Sequence, residues 1–271
     1  MRIALIYFSA TGNTEKIKNV IKDELVRLNN DVYDFNLANR DIRQSFDDFG
    51  SYEVLIFGFP IYYLRAPRIV REWLSTKDGK HIRCATFFTY GGVHVGLAHY
   101  DIKKILDAHN FVLIASAEFL AKHTYNIAGF DLMKNRPNEE DFEIAREFAN
   151  ISHQKFINPK IENLSIKPPK MSEERTDKIE TTFRRAIPTP FIDSKLCTQC
   201  GVCEKVCVTN AMEIGKGKPR RIDCIRCLRC LFSCPENAIK VPSMTSHYQY
   251  LKKVLKLTDE VLKNRKSKIY S

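Results

Sequence analysis

Arg2-Ile3-Ala4-Leu5-Ile6-Tyr7-Phe8-Ser9-Ala10-Thr11-Gly12-Asn13-Thr14 stands at the start of the chain, and its reading decides the fold. Arg2–Phe8 is a nearly continuous apolar run, the pattern of a parallel strand covered on both faces. From Thr14 to Leu28 the apolar residues Ile17, Val20, Ile21, Leu25 and Leu28 recur at helical spacing. Strand, polar turn and helix in that order make the first unit of an α/β sheet. The apolar run is short, lacks a small-residue cleavage site and passes straight into this motif. It therefore reads as a buried strand and not as a secretory signal.

The same alternation continues outward. Asp31–Asn36, Tyr52–Gly58, Ile82–Phe88 and Phe111–Phe119 read as further strands, with helical patterns at about 67–75, 97–109 and 138–156 between and after them. Five strands alternating with helices predict a doubly wound five-stranded parallel sheet over residues 1–157. Ligands of such sheets sit beyond the carboxyl ends of the strands. Trp73 falls within a helical pattern and is assigned to packing. Past Phe156 the composition turns polar, punctuated by Pro159, Pro168-Pro169 and Pro188-Thr189-Pro190. Residues 158–190 are expected to form a linker with a helical segment at Ser172–Arg185. Residues 191–243 are cysteine-rich, and 244–271 read as a basic amphipathic C-terminal helix packed on the protein body.

Of nine cysteines, Cys84 stands alone within a strand pattern, as an inert core thiol, and eight lie between Cys197 and Cys234. With no targeting signal, clustered thiols point to metal and a cytoplasmic setting more than to disulfides. Cys197, Cys200, Cys203 and Cys207 are spaced C-x2-C-x2-C-x3-C, and Cys224, Cys227, Cys230 and Cys234 repeat that spacing, followed by Pro235. This double run resembles the bacterial two-cluster ferredoxins. The resemblance implies a small α+β domain with two 4Fe–4S clusters, the fourth cysteine of each run crossing to the other cluster. One set would then be Cys197, Cys200, Cys203 and Cys234, and the other Cys207, Cys224, Cys227 and Cys230. The first run ends in Cys207-Val208 where that family usually has Cys-Pro. Four-cysteine sites also hold structural zinc, but zinc sites usually use two separated C-x2-C pairs.

Ser9, Ala10, Thr11, Gly12, Asn13 and Thr14 resemble the phosphate loop of flavodoxins. The resemblance implies FMN, its phosphate held by hydroxyls and helix N-terminal N–H groups. The loop lacks the Gly-Lys ending of an ATP- or GTP-binding P-loop, and no Gly-x-Gly-x-x-Gly run suggests FAD. In flavodoxin-like proteins the loops after strands three and four clamp the flavin ring. Here those loops carry Pro60, Ile61, Tyr62 and Tyr63, then Tyr90, Gly91 and Gly92, and Tyr125 after strand five is a further candidate. His94, His99 and His123 lie near the same edge and are assigned surface or capping roles.

The whole chain resembles flavodoxin-like proteins fused to a two-cluster ferredoxin. That resemblance implies an electron carrier passing single electrons between the clusters and FMN. The alternatives are an FMN-dependent reductase of a small molecule or NAD(P)H, wired by the clusters, and a zinc-stabilised interaction protein. The formal charge of +11 falls to roughly +5 once two clusters and one FMN phosphate are counted. A nucleic-acid partner is therefore not expected. The basic stretch Gly215–Arg221, with Arg226 and Arg229, suggests charge compensation or an acidic redox partner protein. No run of about 18 apolar residues predicts a membrane span.

Overall fold

Along β1 (Arg2–Tyr7) the side chains alternate between two cores. Ala4, Ile6 and the following Phe8 enter one core, and Ile3, Leu5 and Tyr7 enter the other. The structure, a computed structural model, describes the whole chain except Asp47, Asp48 and Ile161. After β1 come α1 (Asn13–Arg27), β2 (Asp31–Asn36), α2 (Arg40–Ser45), β3 (Val54–Pro60) and α3 (Arg68–Leu74). Then follow β4 (Arg83–Tyr90), α4 (Ala98–Ala108), β5 (Val112–Leu120) and α5 (Glu139–Ile157).

β1 to β5 are mutually parallel, in the order β2-β1-β3-β4-β5. This is the flavodoxin-like doubly wound order, whose switch point lies between β1 and β3. Ile17, Ile21 and Leu25 of α1 and Ala145, Phe148 and Ala149 of α5 cover one face. Val70, Trp73 and Leu74 of α3 with Ala98, Ile102 and Leu106 of α4 cover the other. Cys84 lies fully buried in the second core, where burial pushes its thiol far above the ordinary range.

The C-terminal segment departs from the sequence expectation. In place of one long helix, residues 244–271 form α9 (Thr245–Val254), α10 (Asp259–Lys263) and a strand, β10 (Lys268–Tyr270). β10 pairs antiparallel with β5, so the sheet has six strands. Two buried carboxylates seat it. Glu118 accepts from the Tyr270 hydroxyl at 3.0 Å, and Asp141 accepts from the Ser267 hydroxyl. The helical pattern fails at Leu257-Thr258, where Thr258 restarts a helix as the cap of α10.

The expected linker is also fastened down. Its helix, α6 (Glu173–Ala186), is capped by Ser172, which accepts from the Arg175 N–H at 3.2 Å. Asp177 and Glu180 of α6 face Arg65 and Arg71 of the α/β domain.

The cysteine-rich segment is an internal duplication in structure as well as in spacing. β6 (Phe191–Ile192), α7 (Val202–Lys205) and β7 (Met212–Glu213) match β8 (Lys218–Pro219), α8 (Arg229–Phe232) and β9 (Ile239–Lys240) at one constant offset. β6 pairs with β9 and β7 with β8, so the two halves exchange strands. Left-handed backbone recurs at the same places, at Gln199 and Arg226, Gly201 and Leu228, and Asn210 and Asn237.

Candidate functional site

The turn after β1 is held from outside and open at its tip. Asn36 accepts from the Ser9 N–H at 3.1 Å and donates to the Ser9 carbonyl at 3.2 Å. Ser9 Oγ accepts from the Glu15 N–H at 3.3 Å, and Asn13 donates to the Lys122 carbonyl at 2.7 Å. Gly12 sits at φ 89°, left-handed backbone that glycine adopts without steric cost, with open space where a Cβ would stand. Ala10 and Thr11 form the partly exposed tip. The N–H groups of Thr11, Gly12, Asn13 and Thr14 have no backbone acceptor among the described residues. That donor set at a helix N-terminus suits an anion. Thr14 is placed differently from its neighbours: its buried hydroxyl pairs with that of Thr89 on β4 at 2.8 Å.

Pro60 and Ile61 lie against β4, the Ile61 N–H donating to the Thr89 carbonyl at 2.9 Å. The chain then makes a tight turn in which Tyr62 and Arg65 exchange backbone hydrogen bonds of 2.7 and 3.1 Å. Tyr63 and Leu64 within it have φ of 52° and 71°, unusual for residues with a Cβ. Two contacts fix them. The Leu64 carbonyl accepts from the Leu97 N–H, and Gly96 lies so close that a Cβ would stand 2.4 Å from that carbonyl. Arg65, 3% exposed, is surrounded by Asp101, Asp177 and Glu180.

Tyr62, Tyr63 and Tyr125 come together with the second cysteine run. Burial first, then Cys227 and the other two tyrosines, pushes the Tyr62 phenol well above its ordinary value. Tyr63 and Tyr125 are raised chiefly by burial as well, and both sense Cys224. The Tyr125 hydroxyl donates to the Arg226 carbonyl at 3.4 Å. Tyr90 is not part of this group: its phenol lies by Glu118 and Arg265, pushed up to about 12 mainly by burial. Gly91 and Gly92 make room for side chains of the neighbouring loop. A Cβ on Gly91 would stand 2.3 Å from His123, and one on Gly92 2.4 Å from Met133. His123 stacks on Phe130 and is partly buried, and the loss of solvent lowers it to about 4. His94 and His99 hold local bonds, His99 to Ser116 and Glu118.

The eight clustered cysteines line two separate cavities. Cys197, Cys200, Cys203 and Cys234 line one, and Cys207, Cys224, Cys227 and Cys230 line the other. The second, inner cavity lies toward the α/β domain, since Cys227, Ile225 and Val208 pack on its core. Val208, the residue that breaks the Cys-Pro pattern, is 1% exposed. Its apolar side chain enters the neighbouring domain's core.

Backbone N–H groups point at sulfur in both halves. Gln199 donates to Cys197 and Arg226 to Cys224, each at 3.4 Å, and Ala211 donates to Cys207 and Ala238 to Cys234, each at 3.2 Å. Such bonds favour thiolate over thiol. Against them, burial raises Cys224 and Cys230 and pushes Cys227 up to about 12. A cation core is the usual means of keeping buried thiols ionised. Among the described residues, no three His, Cys, Asp or Glu side chains are arranged to hold a single metal ion.

Sequence reasoning missed Asn36, Thr89, Arg43 and Arg65, none of which belongs to a recognisable motif. The basic stretch before the second run is largely engaged within the protein. Arg220 pairs with Asp223 and Glu213, Lys216 pairs with Glu213, and Arg221 donates to the Arg185 carbonyl. Among the described residues no helix is long and apolar enough to cross a membrane.

No family model matches the chain. Among solved structures, it is similar to oxidised flavodoxin 1 from Bacillus cereus, with 15% identity, 57% of this chain, 98% of that one and a TM-score of 0.43. Flavodoxin 2 from the same organism gives 18% identity, 57% and 99% coverage and a TM-score of 0.44. The flavodiiron core Flv1 from Synechocystis gives 20% identity over 58% of this chain, which spans only 36% of it, at a TM-score of 0.44. One curated relative, the uncharacterized protein MJ0298 of Methanocaldococcus jannaschii, is 32% identical over 155 residues, 55% of this chain and 96% of the relative. On that likeness the chain belongs to the family of the Methanocaldococcus jannaschii protein MJ0298.

Proposed function

We propose that the chain is an electron-transfer flavo-iron–sulfur protein. In this reading FMN sits at the carboxyl edge of the sheet and the two cysteine cavities hold 4Fe–4S clusters. One observation carries it: Tyr62, Tyr63 and Tyr125, on two of the loops assigned to flavin, are neighbours of Cys224 and Cys227. Two cofactor sites assigned independently from sequence would then lie side by side, as one-electron transfer between them requires.

When bound, the clusters would supply single electrons and the flavin would accept one or two. The protein's part is placement. The open N–H groups of Thr11 to Thr14 and the Thr11 hydroxyl would hold the phosphate. The tyrosines would present aromatic surface to the ring and exclude water from the gap. The crossed quartets, Cys234 with Cys197, Cys200 and Cys203, and Cys207 with Cys224, Cys227 and Cys230, would tie the two clusters into one unit. The paired N–H donors to Cys197, Cys207, Cys224 and Cys234 support thiolate ligands. Four cysteines on the wall of each cavity give the ligand number that one such cluster takes.

A second reading has its own observation. A cleft of about 370 Å³ opens beside Tyr62 and Tyr63, with Arg184 of α6 and Ile225 of the second run on its walls. A small molecule entering there would reach the flavin edge, making the protein an FMN-dependent reductase. Anaerobic purification with iron, sulfide, zinc and flavin quantified tests both readings. About eight irons and one FMN per chain supports the proposal, and zinc without flavin overturns it. Turnover with a soluble acceptor, lost when the cleft is blocked by Ile225→Trp, would favour the reductase.

A further inference from the structure

The two cysteine repeats match in backbone and differ in charge at the walls of their cavities. Val202 of the first repeat corresponds to Arg229 of the second, Gln199 to Arg226, and Thr209 to Glu236. The strand exchange carries Glu236 to the outer cavity, whose lining includes that one acid and no cation. The inner cavity is lined by Arg229 and no acid.

The α/β domain adds to this asymmetry. Arg43 of α2 donates to the Leu37 carbonyl at 2.6 Å and across the junction to the Val208 carbonyl at 2.7 Å. Arg229 donates in the other direction, to the Ala38 carbonyl. Both guanidiniums thus stand at one junction beside the inner quartet. No carboxylate pairs with Arg40, Arg43 or Arg229 among the described residues. Two guanidiniums at one junction beside a cavity lined by four thiols suit an anionic group in that cavity, and an iron–sulfur core with four thiolates is one.

We infer that Arg43 and Arg229 are tuning residues that hold the inner cluster at a higher reduction potential than the outer one. The inference rests on the proposed cluster assignment. Reduction adds one negative charge to a cluster, and fixed cations beside it stabilise that charge. Deeper burial of the inner quartet opposes the effect, because a new charge there is poorly solvated. The same burial strengthens the attraction to guanidiniums already in place. Glu236 acts in the reverse sense on the outer cluster. The step concerned is a one-electron exchange, one cluster oxidised as the other is reduced, with no bond changed and no proton moved. The outer cluster would receive its electron from a one-electron carrier protein, and the asymmetry draws that electron toward the tyrosine loops.

The test is an anaerobic redox titration of the full-length loaded protein, followed by EPR, with Cys207→Ser marking the inner signal. The marked signal should have the higher potential. Arg229→Gln and Arg43→Gln should each lower it by about tenfold in the one-electron equilibrium, about 59 mV, and leave the other signal in place. Arg229→Lys should restore most of the shift, and Glu236→Gln should raise the outer signal. If Arg229→Gln fails to load, Arg43→Gln carries the test, since it lies outside the repeat. Loaded clusters whose potentials do not move, or a lysine variant that falls as far as glutamine, overturn the inference alone. A chain that takes up zinc or no metal overturns the cluster assignment and the inference together.

Discussion

The phenol of Tyr125 donates to the main-chain carbonyl of Arg226, joining the loop after β5 to the turn between Cys224 and Cys227. The contact is short in space and long in sequence. It ties the loop at the carboxyl edge of the sheet to the inner cysteine cavity by a side-chain-to-backbone hydrogen bond as well as by apolar packing. Leu228, two residues beyond Arg226, enters the same apolar group as Tyr125 and Phe130, so the turn is held from both sides.

The buried Thr14–Thr89 hydroxyl pair separates stability from phosphate binding in the first loop. Thr14→Val should leave the Thr89 hydroxyl without its partner and cost about 1–3 kcal/mol, read by denaturant unfolding. Thr11→Val should leave stability nearly unchanged and weaken flavin binding while iron content stays intact. Full flavin occupancy in the Thr11→Val protein would remove the phosphate-loop assignment.

The cavities predict which cluster each fourth cysteine serves. Cys207→Ala should damage the cluster held by Cys224, Cys227 and Cys230, and Cys234→Ala the one held by Cys197, Cys200 and Cys203. EPR of the two variants should show complementary losses. Damage confined in each case to the variant's own run would show that the ligands do not cross.

Arg65 should be one of the costliest single positions outside the sheet. It is buried between Asp101, Asp177 and Glu180. Breaking a buried ion pair from one side leaves uncompensated charge and costs about 3–5 kcal/mol. Part of that cost is offset here because Asp177 is 66% exposed. Arg65→Ala should therefore lower unfolding stability by a few kcal/mol and also loosen the Tyr62–Leu64 turn, seen as faster amide exchange at Leu97, whose N–H bonds Leu64.

His123 should make stability fall in acid. Its folded value of about 4 lies below the ordinary value near 6.5, so the unfolded chain binds the extra proton first. The contribution is complete above about pH 6.5 and is lost as the pH falls toward 4, at roughly 1.4 kcal/mol per pH unit. The wild-type minus His123→Gln difference in unfolding free energy isolates this slope from the carboxylates. An identical pH dependence in both proteins would show that His123 is not held neutral.

How far the sequence could be read depended on whether a feature was local. The strands and helices of the α/β sheet repeat at short range, so β1 to β5 were legible from apolar periodicity. The cysteine spacing was equally local, since each run of four lies in one short stretch of chain. The direction of the Tyr90 ring was not legible, because a position at the end of a strand does not say which way a ring turns, and its phenol lies by Glu118 and Arg265. The packing of His123 and Met133 against Gly91 and Gly92 was not legible either, because those side chains come from a different loop. Arg43 was invisible because its partner, the Val208 carbonyl, lies 165 residues away. β10 was lost for a similar reason. Lys268-Ile269-Tyr270 is too short to signal a strand, and only the free edge of β5 makes it one.

That last strand changes what the cysteine-rich segment is. Because β10 completes the sheet begun by β1 to β5, the segment is an insertion between two neighbouring strands and not an appendage to a finished domain. On a ribosome the sheet cannot close until the cysteine repeats have been made, and folding of the repeats and closure of the sheet thus fall within one late interval. A chain cut before β10 would leave the edge of β5 unpaired and Glu118 and Asp141 without their hydroxyl donors, a surface open to pairing with other chains. The two halves of this protein are therefore poor candidates for separate expression, however cleanly their motifs divide.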